Sequence, residues 1–350
     1  MINYVPIFLQ GDISWWKEGD YFKHPFLLIS AYYGRQKPNF REDLEIPKEV
    51  TVMGDSGGFQ NMTQQAFLDP LSVLKWQERN CNIGFTFDLP ILQNDTTEIK
   101  IKKQDETVEN AYIALNNRKE MALYAIVQGH TYQEQLRILD QYEKMGNPGK
   151  FDGWAIGGLV PLAGNTMLIA QILTTFIHLI NERKKTVPLH VFGLSGINTM
   201  PIMAYLAKVY DKIITFDSSS YASGMIRKDY WLDYGRFSFN IDKNIKLTRP
   251  PCPCVVCRNK AMTDFFGSAG SYLITLHNLK QVIDLTKILH SLADDKELLI
   301  KYCKSNIVKE SIRFIDYTQE RGLEKALNHF SGVQQSTGKT HSLLKYRRWE

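Results

Sequence analysis

The chain has 350 residues, 44% of them apolar, and carries 42 Lys+Arg against 37 Asp+Glu for a formal net charge of +5. This is enough apolar material for one large core, and barrel proteins often run past about 200 residues as a single domain. The opening MINYVPIFLQGDISWWKEGDY lacks a basic segment followed by a long apolar one, and no later stretch approaches about 18 uninterrupted apolar residues. A soluble, non-secreted protein with no membrane partner is therefore expected. The small basic excess would help hold a polyanion without demonstrating one.

In chain order, short runs rich in Val, Ile, Phe and Leu recur at 6–10, 26–30, 50–54, 83–88, 123–127, 154–157, 189–193 and 212–217. Unbroken apolar runs suit parallel strands buried on both faces, and most of these are separated by helical segments. Thr131 and Glu134 form a capping-box pattern, followed by Leu136, Leu139, Tyr142 and Met145. A further helix is expected from Thr199, with Pro201 in its first turn. Eight alternations favour a (β/α)8 TIM barrel over an open doubly wound sheet. The gap 11–25 is the weak point, being short and aromatic for a helix. Residues 281–330 read as two or three helices and 331–350 as a basic tail with Lys339, Lys345, Arg347 and Arg348. The expected organisation is 1–240 as the main part of the barrel, 241–280 as a zinc-binding subdomain inserted late, and 281–350 as helices completing the barrel plus the tail.

Barrel chemistry sits at the carboxyl ends of the strands. There the third run leads into Asp55-Ser56-Gly57-Gly58-Phe59-Gln60, the fourth ends at Asp88, the fifth at Gln128-Gly129, the sixth at Gly157-Gly158, the seventh at Gly193 and the eighth at Asp217. Taken singly, such residues are more often helix caps or turn formers; it is their coincidence on one face that points to a site. Carboxylates, an amide and bare backbone suit a planar heterocycle, and guanine's N1–H/N2–H2 edge matches an aspartate. Phe59 can stack on such a ring. Two further carboxylates can divide glycosidic cleavage, one attacking the anomeric carbon and one handling protons. If water is excluded, exchange of the base wins over hydrolysis.

Five cysteines are present, and Cys252, Cys254 and Cys257 fall in one C-x-C-x2-C run. With His277 as candidate fourth ligand they form a closed Cys3His set, the pattern of a structural Zn2+ in a reducing compartment. Residues 221–260 interleave Arg227, Lys228, Arg236, Lys243, Lys246, Arg249, Arg258 and Lys260 with Tyr221, Tyr230, Trp231, Tyr234 and Phe237. That mixture suits either phosphates plus stacked bases, or a basic surface with aromatics packed beneath.

DSGGFQ at 55–60, IVQG at 126–129, DGWAIGGLVP at 152–161, FG at 192–193, FDSSSYASG at 216–224, and CPCVVC with HNL at 252–257 and 277–279 resemble, in order, the motifs of tRNA-guanine transglycosylases. The resemblance covers roughly 50–280 and implies Asp217 as nucleophile and Asp55 as general acid/base. It implies base recognition by Asp88, Gln128, Gly157 and Gly158, with Phe59 stacking and Phe192 closing the pocket. It also implies zinc on Cys252, Cys254, Cys257 and His277.

Ser218-Ser219-Ser220-Tyr221-Ala222 and Val160-Pro161-Leu162 resemble the archaeal, archaeosine-type enzymes rather than the bacterial queuosine type. Those enzymes append RNA-binding domains for which 281–350 leaves little room, so the chain is similar to the 7-deazaguanine DNA transglycosylases (DpdA family). The expectation is a transglycosylase that exchanges guanine in DNA for a 7-deazaguanine, 7-cyano-7-deazaguanine (preQ0), in the cytoplasm of a bacterial cell or a phage-infected host. A target guanine in duplex DNA must leave the stack, so companion DNA-opening proteins are an open question. The alternatives are a tRNA enzyme of shortened architecture, a hydrolytic glycosidase and a catalytically silent nucleic-acid-binding partner subunit. Retention of Asp55 and Asp217 speaks against the last. Family likeness also allows a homodimer.

Overall fold

Eight parallel strands form one sheet in the order β1-β8-β7-β6-β5-β4-β3-β2. They are β1 Ile2–Pro6, β2 Phe26–Ser30, β3 Thr51–Asp55, β4 Ile83–Phe85, β5 Ala122–Val127, β6 Gly153–Ile156, β7 Leu189–Val191 and β8 Ile214–Ser218. In this computed structural model the residues described are 1–331, without 9–13, 20–21, 65–67, 147, 184–186, 223–225 and 242–246. The basic tail, Lys243 and Lys246 therefore lie outside the described residues.

Sheet closure comes from β1. It pairs with β8 along its whole length, from Ile2 opposite Ile214 to Pro6 opposite Ser218, and then Ile7 bridges Leu28 while Phe8 N–H donates to the Leu28 carbonyl at 2.7 Å. The result is the expected (β/α)8 barrel. The first strand is Ile2–Pro6 and not the apolar run 6–10. Asn3 disguises it, because this polar residue interrupts the apolar pattern inside a barrel strand. Between β1 and β2 the chain makes one 3-10 turn, Trp15–Lys17, whose Trp15 is wholly buried.

The helices of the first half are α1 Ala31–Gly34, α2 Phe40–Asp43, α3 Gly58–Gln64, α4 Pro70–Asn80, α5 Thr97–Asn117 and α6 Tyr132–Met145. They are followed by α7 Thr166–Glu182 and α8 Thr199–Val209. Their starts are set locally. Asp69 accepts from the Leu71 and Ser72 amides ahead of Pro70, and Asn165 accepts from Leu168 N–H. At α6 the Thr131–Glu134 capping box forms as the spacing predicts. Such caps satisfy amides that a helix cannot satisfy itself.

Between β8 and the next long helix lies an insertion made of an antiparallel hairpin, β9 Asp229–Leu232 with β10 Phe237–Asn240, and the cysteine run. Then α9, Gly267–Leu292, runs unbroken through residue 280, carries His277 and packs on β1 and α8. Helices α10 Lys296–Cys303, α11 Asn306–Arg321 and α12 Leu323–Phe330 complete the described chain, with α11 lying on α7 and α8. No helix among the described residues is long and apolar enough to cross a membrane.

Candidate active site and metal centre

Alternation along each strand decides what enters the barrel. Outward-facing Val52, Leu123, Val127, Ile156, Leu189, Val191 and Phe216 belong to the layer under the helices, while Met53, Phe85, Tyr124, Ile126 and Ala155 fill the interior. A strand's side chains repeat every second residue, so Asp55 follows Met53 inward, Gln128 follows Ile126, Gly157 follows Ala155, and Asp217 follows Thr215. One period thus sends Asp55, Gln128, Gly157 and Asp217 to the same end of one lumen.

Asp88 is buried and accepts two hydrogen bonds, from Ser56 Oγ at 2.7 Å and from Gln128 Nε2 at 2.5 Å. Burial raises its carboxyl above the usual range, and the two donors partly offset this. Gln128 is held from behind, where Gln104 Nε2 donates to its backbone carbonyl at 2.7 Å. Its Oε1 is buried without a partner among the described residues. Gly157 and Gly158 press on this amide: a Cβ at Gly157 would lie 2.5 Å from Gln128 Nε2, and one at Gly158 would lie 3.0 Å from Oε1. Gly158 also has φ +75°, where side chains are strained.

Asp55 sits at the mouth of the same group, with Gly57 N–H donating to its Oδ2 at 3.2 Å. Burial pushes its carboxyl from 3.8 up to about 7, and the negative charges of Asp88 and Asp217 add to the rise. Asp217 is buried, and its Oδ1 accepts from His190 Nε2 and from Gly193 N–H, each at 3.0 Å. Phe192 lies against the His190 ring at 4.5 Å and against Phe85 at 4.8 Å, at the edge of this pocket. Phe59 is not drawn in: it stands in the first turn of α3 with 57% of its surface exposed.

His190 escaped the sequence reading, because LHVFG passes for a continuous apolar run. Its parity is the signal that finds it: it shares a face with Phe192 between outward-facing Leu189 and Val191.

At Gly193 and Ser218 a cavity of about 370 Å³ opens, lined also by Ser195, Ser220, Trp231 and Tyr234. The hairpin aromatics divide by role. Tyr221 and Tyr230 are wholly buried, the first donating to the Ile7 carbonyl at 2.6 Å, so neither is available to stack on a base. Trp231 and Tyr234 wall the cavity, and Phe237 is exposed.

Cys252, Cys254, Cys257 and His277 converge, their ligand atoms all within 4.8 Å of one another. His277 Nε2 is engaged with the Trp231 carbonyl at 2.7 Å, which turns Nδ1 toward Cys254 and Cys257, at 3.4 and 3.3 Å. Tyr230 stacks on the His277 ring at 3.9 Å and reaches Cys257 Sγ at 3.2 Å, and Gln281 Nε2 approaches Cys252 Sγ at 3.6 Å. Outer contacts of this kind fix ligand orientation around a metal. The donor set fits a closed four-coordinate ion.

Residues 45–297 match the family model described as queuine tRNA-ribosyltransferase. Among curated proteins, the tRNA-guanine(15) transglycosylase of Methanothermobacter thermautotrophicus is 23% identical over 299 residues, which cover 80% of this chain and 43% of that protein. The chain therefore spans less than half the length of this relative.

Proposed function

The chain belongs to the queuine tRNA-ribosyltransferase family, and from that premise we propose that it exchanges guanine in a polynucleotide for a 7-deazaguanine base through an aspartyl-sugar intermediate. The observation that carries the reading is the pairing of two unlike carboxylates in one lumen. Asp217 is fixed through one oxygen by two donors, and Asp55 is poised near neutrality. A carboxyl held near neutrality beside a carboxylate fixed by two donors suits a proton carrier next to a nucleophile.

In this reaction Asp217 attacks the anomeric carbon as the bond to guanine N9 breaks, and the protonated Asp55 delivers its proton to the departing base. The incoming base then gives its N9 proton to Asp55, attacks the same carbon and releases Asp217. Two displacements retain the configuration. Asp88 accepts from the N1–H/N2–H2 edge, the free Gln128 Oε1 accepts from a further base N–H, and Gly157 and Gly158 let backbone approach the ring. Phe59 covers one face once a base is bound, and Phe192 closes the pocket. Cys252, Cys254, Cys257 and His277 would hold a structural zinc ion, which leaves no open coordination position for chemistry.

We favour DNA as the polymer and preQ0 as the incoming base. Support for preQ0 comes from the archaeal-like 218–222 and 160–162 segments, and for DNA from the resemblance of the chain to the 7-deazaguanine DNA transglycosylases. The family description and the tRNA enzyme of M. thermautotrophicus favour the second reading, tRNA, with the same pocket. Radiolabelled guanine or preQ0 offered with DNA and with tRNA in parallel separates them. Label entering DNA only, and absent with Asp217→Ala, is the expected result; label in tRNA only overturns the choice of polymer, and label in neither overturns the exchange reaction.

A further inference from the structure

Resting on that reading of Asp217 as the nucleophile, we propose that His190 is its positioning residue, holding one carboxylate oxygen so that the other is presented to the sugar. His190 is fully buried in the lumen on β7. Its Nε2 and the Gly193 amide converge on Asp217 Oδ1, each at 3.0 Å. Oδ2 has no hydrogen-bond partner among the described residues and is not sealed from solvent. The two oxygens are therefore inequivalent before any substrate arrives.

The grip is built in from three sides. Thr215, the register partner of His190 on β8 and two residues before Asp217, places its Oγ1 2.8 Å from Nδ1. Phe85 and Phe192 flank the ring, with centroids 4.7 and 4.5 Å away, and block its rotation. Gly193 turns its N–H inward at φ +76°, a backbone where a side chain would be strained and where a Cβ would lie 2.2 Å from Val160 Cγ2. A carboxylate only accepts, so the contact with Asp217 assigns a proton to Nε2, while Thr215 Oγ1, also within 3.4 Å of the Leu189 carbonyl, braces Nδ1.

Without these donors the Asp217 carboxylate can turn about its last bond, and both oxygens compete for every nearby donor. With them, Oδ2 forms the bond to the anomeric carbon while Oδ1 becomes the ester carbonyl. Both hydrogen bonds persist through that change, so the step needs no rearrangement around the nucleophile. Pre-paid orientation of a reacting group is a rate effect rather than a binding effect.

The kinetic test uses His190→Phe, which keeps an aromatic ring but removes the donor, and His190→Gln, which restores an N–H. His190→Phe should lower kcat for base exchange about a hundredfold with KM nearly unchanged, and His190→Gln should recover at least about tenfold of that loss. A His190→Phe enzyme within about threefold of wild type, or one impaired through KM alone, overturns the proposal. A second measurement does not depend on turnover or on the variants' activity. In 15N-histidine-labelled protein, the His190 resonance should show a protonated, downfield-shifted Nε2 that changes in Asp217→Ala; an unchanged resonance overturns the proposal. Should wild type exchange no base on either polymer while this resonance still tracks Asp217, the functional reading falls and the coupled pair stands.

Discussion

The proton carried by Asp55 gives the pH dependence of each half-reaction its own sign. With the carboxyl pushed from 3.8 up to about 7, chiefly by burial, about nine in ten molecules hold the proton at pH 6 and about one in ten at pH 8. Release of guanine needs the protonated form and entry of the new base needs the ionised one. Accordingly, kcat/KM for the polynucleotide should fall about tenfold from pH 6 to pH 8, while kcat/KM for the incoming base rises by about as much. Asp55→Asn should flatten both profiles and lower kcat by about 10² to 10⁴. Removing the nearby charge with Asp88→Asn should move both profiles to lower pH, since that charge is the second cause of the rise. Two-substrate steady-state kinetics with labelled base across this range measures all of these. Profiles of the same sign in both half-reactions, or a pH dependence surviving in Asp55→Asn, would refute the assignment.

The same group leaves a mark on stability. Between 3.8 and about 7 the folded chain holds a proton on Asp55 that the unfolded chain has released, so stability falls as pH rises through that window. Asp55→Asn should therefore resist denaturant better than wild type above about pH 7 and lose that advantage below about pH 4; urea melts at the two ends check it. Metal analysis of the purified protein should find about one zinc per chain, and chelation or Cys254→Ser should lower Tm by many degrees, because binding energy at a closed site is folding energy. Gly157→Ala, whose new methyl would lie 2.5 Å from Gln128 Nε2, should push that amide off Asp88; exchange should collapse while Tm moves only a few degrees. Phe59→Ala removes an exposed ring, so thermal melts should stay within about 0.5 kcal/mol of wild type. Its KM for the incoming base should rise by about tenfold, the scale of one stacking contact.

What could be read from the sequence follows from how local each signal is. The β2 strand Phe26–Ser30 and the α6 helix from Thr131 were legible because a run of branched and aromatic residues and a capping box each act within a few residues. Asp55, Gln128 and Asp217 were legible as strand-end polar residues, and the cysteine run by its spacing. Strand β1 was misplaced because Asn3 is tolerated inside the lumen, which a hydrophobicity pattern cannot see. His190 was missed because a buried polar residue within an apolar strand declares itself only through parity and its partners on β8. Between the two readings open for the 221–260 aromatics, Tyr230 falls with those packed beneath the surface, and its burial against His277 depends on a contact between residues far apart in the chain.

The central claim is that Asp217 carries the sugar. Mixing the protein with a guanine-containing oligonucleotide in the absence of incoming base, then denaturing it, should trap a covalent adduct whose mass maps to the peptide holding Asp217. Adding preQ0 or guanine before denaturation should discharge it, and Asp217→Ala should form none. An adduct on another residue, or base exchange by the Asp217→Ala protein, would contradict the account.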